Sequence, residues 1–331
     1  MTPPAQASDF TRALDALCTI RLGGPMTDCT RLSGGASQES YRFVCGNDLF
    51  VLRRPPGGVP KNTSSNALSM TDEARALAHV YEAGVAVPEV VHICAPEDGL
   101  GLGYIMRFIE GQTIARKILR DDEFSDTRPQ LAAQCGTMLA RLHGLESDQM
   151  EGLPSSDAKG ELDKYIEILR AHGHPHPVFE LAIRWLANNV PPSQARCLVH
   201  GDFRMGNLMV TPESGVVAIL DWELAHIGDP MEDLGWPCVP SWRFGQHQNP
   251  VGGFGQREDF YAAYEAAGGT IDRAAVRFWE ILGTLKWGIM CTMMATAFTS
   301  GADRTVERAA IGRRSSETEI DLLRMLEGQD W

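Results

Sequence analysis

The chain has 331 residues, 44% apolar and 22% charged, which fits an ordinary globular protein of about two domains and excludes disorder as an overall description. Its net charge of −13 argues against nonspecific nucleic-acid binding, where clustered Lys and Arg must neutralise phosphates. The eight cysteines form no C-x-x-C pair and keep no regular spacing, so neither a zinc site nor a disulfide framework is expected, and a cytoplasmic location with reduced thiols is.

In chain order, MTPPAQASDF lacks the basic-then-apolar pattern of a secretory signal, and a first helix is expected over 8–18. Residues 28–54 read as an antiparallel meander of TRLSGG, SYRFVCG and DLFVLRRPP, with Gly46-Asn47-Asp48 at a turn. Ahead of its second strand stand Ser33, Gly34, Gly35, Ala36 and Ser37, small residues that let backbone N–H groups approach an anion. Taken alone they make a hairpin turn more readily than a phosphate loop, and they do not match the P-loop pattern.

A helix is expected over 70–83, where Ala74, Leu77, Ala78 and Tyr81 recur at helical spacing after Thr71 and Asp72. Strands at 89–94 and 103–109 follow, separated by PEDGLG. From Thr113 onward apolar stripes predict helices at 128–146, 158–172, 177–189, 256–267, 272–298 and 304–327. The run from Phe278 to Phe298 is the one stretch that invites a membrane reading, but Glu280 and Lys286 interrupt it, so a buried helix and no membrane partner are expected. His172, His174 and His176 sit among Pro and Gly as a surface connection, and the tryptophans at 236, 242, 279 and 287 read as core or pocket wall.

The segment CLVHGDFRMGNLMVTPESGVVAILDWE, residues 197–223, carries the chemistry. It reads as three short strands, CLV, LMV and VVAIL, the last ending at Asp221 and the last two joined by the turn PESG. Asn207 offers a carbonyl oxygen and Asp221 a carboxylate, a hard, sparse ligand pair suited to Mg²⁺ on nucleotide phosphates. Asp202 is left for a substrate hydroxyl. Asn207 follows Asp202 by five residues, the interval between catalytic Asp and metal-binding Asn in H-R-D-L-x-x-x-N, and Arg204 follows by two.

The string His200-Gly201-Asp202-Phe203-Arg204-Met205-Gly206-Asn207, followed by Leu220-Asp221-Trp222-Glu223, resembles the aminoglycoside phosphotransferase and choline kinase superfamily. It looks most like the branch found in, or fused to, acyl-CoA dehydrogenase proteins. The resemblance extends over about residues 28–300. It implies an α+β, bilobal protein kinase-like fold: a small antiparallel-sheet nucleotide lobe over 1–108 and a larger, mainly helical catalytic and substrate lobe over 109–331, with the nucleotide between them.

It also implies ATP and Mg²⁺ as cofactors, Asp202 and Arg204 as catalytic residues, Asn207 and Asp221 as metal ligands, and the loop at 33–37 over the phosphates. Arg53 stands where the family usually carries Lys; it is planar, longer and permanently charged, so the phosphate geometry must differ. Glu73 is its expected partner, and Arg54 faces the other way. Met106 and Phe108 belong to the linker whose backbone takes up adenine in the family. Asp229 is expected to cap a helix that starts at Pro230, Asp233 to be buried on the catalytic loop, and His200 to be structural rather than a base. Glu223 reads equally as a substrate or outer-metal contact and as a polar residue leaving its strand.

The implied reaction moves the γ-phosphate of ATP to a hydroxyl of a small molecule. The favoured acceptor is a hydroxyacyl metabolite; an aminoglycoside and a choline-like amino alcohol are the alternatives. A noncatalytic nucleotide-binding scaffold is the rival from another class. Nothing in the pattern specifies an oligomeric state.

Overall fold

The computed structural model describes residues 8–32, 38–59, 67–146, 150, 152–192 and 196–329. The chain divides into two units: Met1–Gly111 with Val217–Ala225, and Gln112–Val216 with His226–Trp331. The architecture is α+β, with a small antiparallel sheet in the first unit and a larger helical second unit.

Unit one begins with α1 (Asp9–Leu17), capped by Ser8, whose hydroxyl accepts the Thr11 N–H at 3.2 Å. Its strands β1 (Met26–Arg31), β2 (Glu39–Cys45), β3 (Asp48–Arg54), β4 (Val90–Ile93) and β5 (Tyr104–Arg107) form one sheet in the order β1-β2-β3-β5-β4. Cys45 pairs with Asp48 across a two-residue loop in which Gly46 takes φ 62°, a left-handed value that favours glycine. Phe43, Phe50, Leu52 and Ile105 of the sheet pack with Leu14 and Leu17 of α1 as one core. Helix α2 (Met70–Glu82), capped by Ser69, buries Ala74, Leu77 and Val80, and on the same face Glu73. A carboxylate on an apolar face requires a partner, and that requirement shapes the site.

The returning segment at 217–225 belongs to unit one through backbone bonds. The Ile219 N–H donates to Ala86 O at 2.9 Å, and the Leu68 N–H donates to Glu223 O at 2.7 Å.

Unit two holds α3 (Ala115–Arg120), α4 (Leu131–His143), α5 (Ala158–His172), α6 (Pro177–Asn188), β6 (Cys197–Val199), β7 (Leu208–Thr211), β9 (His226–Gly228), α7 (Pro230–Gly235), α8 (Arg257–Ala266), α9 (Arg273–Ser300), α10 (Val306–Gly312) and α11 (Ser315–Leu326). Strand β8 (Gly215–Ile219) pairs with β7, and the division between units falls within it. Helices α4 and α8 approach so closely at Gly136 that a Cβ there would lie 2.2 Å from Phe260 O. By length and composition α9 could cross a membrane, yet half of its apolar window is buried and it packs on α5, α6, α7, α10 and α11.

Some expectations shift. The stripe over 304–327 is two helices, because Gly312 is pressed onto Ala295 of α9 and the chain turns at Arg313-Arg314, which lets α11 pack on both α9 and α6. The strand VVAIL ends at Ile219, so Leu220 and Asp221 lie beyond it. CLV, whose partner the sequence left open, pairs with β9 in the register Cys197 with Gly228. At the N-terminal side, β1 starts at Met26 and stops at Arg31.

Candidate active site

The loop of unit two that carries His200 to Asn207 is built on a buried carboxylate. Asp233, fully buried in α7, accepts the N–H groups of His200 at 2.6 Å and Gly201 at 2.9 Å, and its Oδ2 lies 3.3 Å from His143 Nε2. Burial alone would push the Asp233 carboxyl up; the bond to His143 and the neighbouring histidine and backbone donors outweigh it and hold it below the ordinary value. Asp229 stabilises the start of α7, accepting the Met231 N–H at 2.9 Å, and its other oxygen takes the Trp279 indole at 3.0 Å. His200 is fully buried and its Nδ1 lies 3.2 Å from the Asp202 N–H, the place of a loop-shaping residue.

On this frame the Asp202 carboxylate is fixed by three donors. Oδ1 accepts the Trp236 indole N–H at 2.7 Å and Arg204 Nε at 3.0 Å, and Oδ2 accepts Asn207 Nδ2 at 2.7 Å. Asn207 Nδ2 also donates to Asp202 O at 2.9 Å, so its amide hydrogens are spent and its carbonyl Oδ1 remains for a cation. The Arg204 guanidinium lies over the Trp242 ring at 4.7 Å. Lys286 of α9 lies 4.9 Å over the Trp236 ring, which packs on Trp242, with Glu232 at 4.0 Å. Burial would lower its ammonium, but Tyr165, Glu232, Glu161 and Asp202 together raise it, so Lys286 stays charged.

Unit one carries a second cluster. Arg53 in β3 sits between Glu73 and Asp221: its Nε is 3.3 Å from Glu73 Oε1, its Nη2 hydrogen-bonds Asp221 Oδ1, and Glu223 Oε2 stands 3.9 Å from the same nitrogen. Tyr104 donates its hydroxyl to Glu73 at 2.9 Å. Burial pushes the Glu73 carboxyl up to about 7, against the pull of Arg53, with Asp221 adding repulsion. Burial would lower the Arg53 pKa, yet Glu73 first and then Tyr104 and Asp221 raise it further. Asp221 adopts φ 66°, a left-handed conformation that costs a non-glycine residue about 1 kcal/mol and aims its side chain at Arg53.

Arg54 faces away from this cluster, 3.3 Å from Glu39 and over the Phe10 ring at 4.1 Å. Met106 lies within the sheet between Val51 and Val90. The Phe108 N–H is spent on Leu49 O at 2.9 Å, so only its carbonyl is left for a base. Ser33, Gly34, Gly35, Ala36 and Ser37 lie outside the described residues. Among the described residues no group of three or more His, Cys, Asp or Glu is placed to hold a metal, which leaves the histidines at 172, 174 and 176 as a connection between α5 and α6.

Sequence reasoning placed Asp202, Arg204 and Asn207 together, and Arg53 beside Glu73, and the structure brings each of these sets together. It missed Trp236 and Lys286 as neighbours of Asp202, and Tyr104 as the donor to Glu73. A charged residue inside an apolar helical stripe was the available signal for Lys286, because a buried ammonium needs compensating charge.

Residues 28–279 match the family described as the phosphotransferase enzyme family. Among curated proteins, acyl-CoA dehydrogenase family member 10 of Mus musculus is 30% identical over 227 residues, 65% of this chain and 20% of that protein. Acyl-CoA dehydrogenase family member 11 of Pongo abelii is 29% identical over 248 residues, 70% of this chain and 31% of that protein. The chain thus spans about a third or less of these relatives. Among solved structures, a candidate aminoglycoside phosphotransferase from Ralstonia eutropha has a TM-score of 0.77 at 20% identity, covering 96% of this chain and 98% of that one. A choline/ethanolamine kinase family protein from Mesorhizobium loti has a TM-score of 0.66 at 22% identity, covering 96% and 95%. Spectinomycin phosphotransferase in complex with ADP and spectinomycin has a TM-score of 0.66 at 13% identity, covering 97% and 99%.

Proposed function

The chain belongs to the phosphotransferase enzyme family, and on that premise we propose that it moves the γ-phosphate of ATP to a hydroxyl of a small-molecule acceptor. The observation that carries this reading is Asp202, a carboxylate held by three donors inside the family's motif. Phosphoryl transfer asks the protein mainly for placement and charge. Oδ2 of Asp202 takes one hydrogen bond and keeps acceptor capacity for the proton of an acceptor hydroxyl, which it orients and removes. Arg204, fixed between Asp202 and Trp242, adds positive charge beside that hydroxyl.

Each donor by itself suits a hard cation: Asn207 has its carbonyl oxygen uncommitted, and Asp221, whose Oδ1 bonds Arg53, keeps Oδ2, the donor types Mg²⁺ prefers. When bound, Mg²⁺ would neutralise nucleotide phosphate charge. Arg53, positioned by Glu73, serves the phosphates, with the loop at Ser33–Ser37; Met106 and Phe108 lie on the adenine side. Nucleotide roles thus fall in the lobe expected over 1–108 together with Asp221, and acceptor roles in 109–331. The acceptor favoured is a hydroxyacyl compound, free or as a CoA thioester, because the curated relatives are named acyl-CoA dehydrogenase family members; an aminoglycoside and a choline-like alcohol are the competing readings. A cytoplasmic location suits eight free cysteines.

The test is turnover with Mg-ATP and a panel of alcohols, followed by mass spectrometry for an acceptor that gains a phosphoryl group. Transfer that disappears in Asp202→Asn and Asp221→Asn supports the kinase. Nucleotide binding with no transfer sensitive to either substitution supports a noncatalytic scaffold instead.

A further inference from the structure

A cavity of about 580 Å³ opens in unit two, lined by neither Asp202 nor Arg204, and its wall is rich in basic groups: Arg116 of α3, His247, and Arg314 and Arg324 at the start and end of α11. In a chain of net charge −13 such a cluster is not a consequence of composition. Two carboxylates share the wall with three arginines, so basic groups still outnumber acidic ones. Glu317 is committed to Arg314 at 2.9 Å. Asp321 lies among Arg243, His247 and Arg324, and burial pushes its carboxyl above the ordinary value against their pull. Arg116 makes no ion pair with any described residue, so its charge is available to a ligand.

The remaining wall is apolar. Phe244 takes φ 49° and ψ 35°, a left-handed conformation unfavourable for a bulky residue, and it stays 38% exposed at the cavity. Ile320 is 52% exposed on the same wall. Cations beside apolar surface suit an anion with a hydrocarbon body and repel a polycation.

The cavity shares a wall with the catalytic loop. Ser241 and Phe244 line it, and between them Trp242 packs under Arg204, which bonds Asp202. Trp242 also packs on Trp287 and Cys291, and the Cys291 thiol feels Arg314 and Glu317 of the cavity.

We propose that this cavity binds the anionic end, a carboxylate or a phosphate, of the phosphoryl acceptor, and that Arg116 and Arg314 select an amphiphilic hydroxylated anion over a polycation. The inference rests on the phosphotransferase reading for the word acceptor, but the anion site itself does not.

Three probes of equal chain length test it by calorimetry on the full chain: an ω-hydroxyalkanoate, the corresponding ω-hydroxyalkyl phosphate, and the α,ω-diol. At least one anion is expected to bind tenfold or more tightly than the diol, and whichever anion binds better identifies the group the site takes. In the double variant Arg116→Gln, Arg314→Gln the ratio of anion to diol affinity is expected to fall tenfold or more. Equal binding of anions and diol, no anion binding, or an unchanged ratio in the variant each overturns the proposal. The same probes with Mg-ATP separate the two readings. Arginine-dependent anion binding without phosphoryl transfer keeps the site and removes the kinase reading, whereas transfer that ignores both arginines keeps the kinase and removes the site.

Discussion

The two clusters hold their carboxylates by opposite means. In unit two, Asp202 is fixed by an indole, an amide and a guanidinium, and the buried charge beneath it, Asp233, is saturated by backbone and histidine donors. In unit one, Arg53 is shared among Glu73, Asp221 and Glu223, a buried cation with more carboxylates than it can neutralise. The first arrangement is finished before any ligand arrives. The second is a competition of three carboxylates for one cation.

The sharpest break of this comparison is Asp202→Asn. The amide keeps the size of the side chain and loses the carboxylate proposed as the base, so phosphoryl transfer in a coupled assay is expected to fall about 10³-fold with little change in melting temperature. Loss of folding instead would assign Asp202 to structure rather than to chemistry. Next in size is Arg53→Met, which leaves Glu73 and Asp221 facing each other. A stability loss of about 3 kcal/mol by denaturant titration is expected, with part of it recovered when Glu73→Gln is added. No recovery in the double variant would mean the two residues do not act as a pair.

The clusters also differ in the sign of their response to pH. Glu73 has a folded value raised to about 7 from an ordinary 4.5, so its contribution is complete below pH 4.5 and is lost as pH rises through about 7. Asp233 has a lowered folded value, so its contribution is complete above its ordinary 3.8 and is lost as pH falls through the lowered value. Denaturation midpoints measured from pH 3 to pH 8 should show Glu73→Gln removing the decline toward neutral pH and Asp233→Asn flattening the acid limb. The reverse assignment would undo the contrast between the units.

The smallest expected effect is Trp236→Phe, which keeps the ring under Lys286 and deletes one donor to Asp202. A loss of about 1.4 kcal/mol in the transition state, roughly tenfold in kcat, is expected while the protein stays folded. An unchanged kcat would show that Arg204 and Asn207 suffice to hold the carboxylate.

Much of the fold was readable because its signals are local. The meander, α2, the cap at Asp229, and the five-residue interval from Asp202 to Asn207 each follow from turn chemistry, helical spacing or motif, whereas the cap of α2 is Ser69, ahead of the Thr71 and Asp72 read as its start. Glu73 could be matched to Arg53 because strand and helix follow one another, even though 20 residues separate them. The pairing of β6 with β9 was not readable: a three-residue strand buried on all positions shows no alternation to reveal its partner. The break between α10 and α11 was hidden as well, since a continuous apolar stripe says nothing of Gly312 being pressed onto another helix.

The sequence by itself determined which groups are available: the carboxylates at 202 and 221, the amide at 207, the arginine at 53, and the family they point to. Only the tertiary structure decided what each group touches. Trp236 donates to Asp202 across 34 positions and Lys286 is brought to the same wall across 84, because helix packing, which carries no local periodic signature, sets those distances. The charge of the cavity is of the same kind, since Arg116 and Arg324 become neighbours only when α3 and α11 fold around one space.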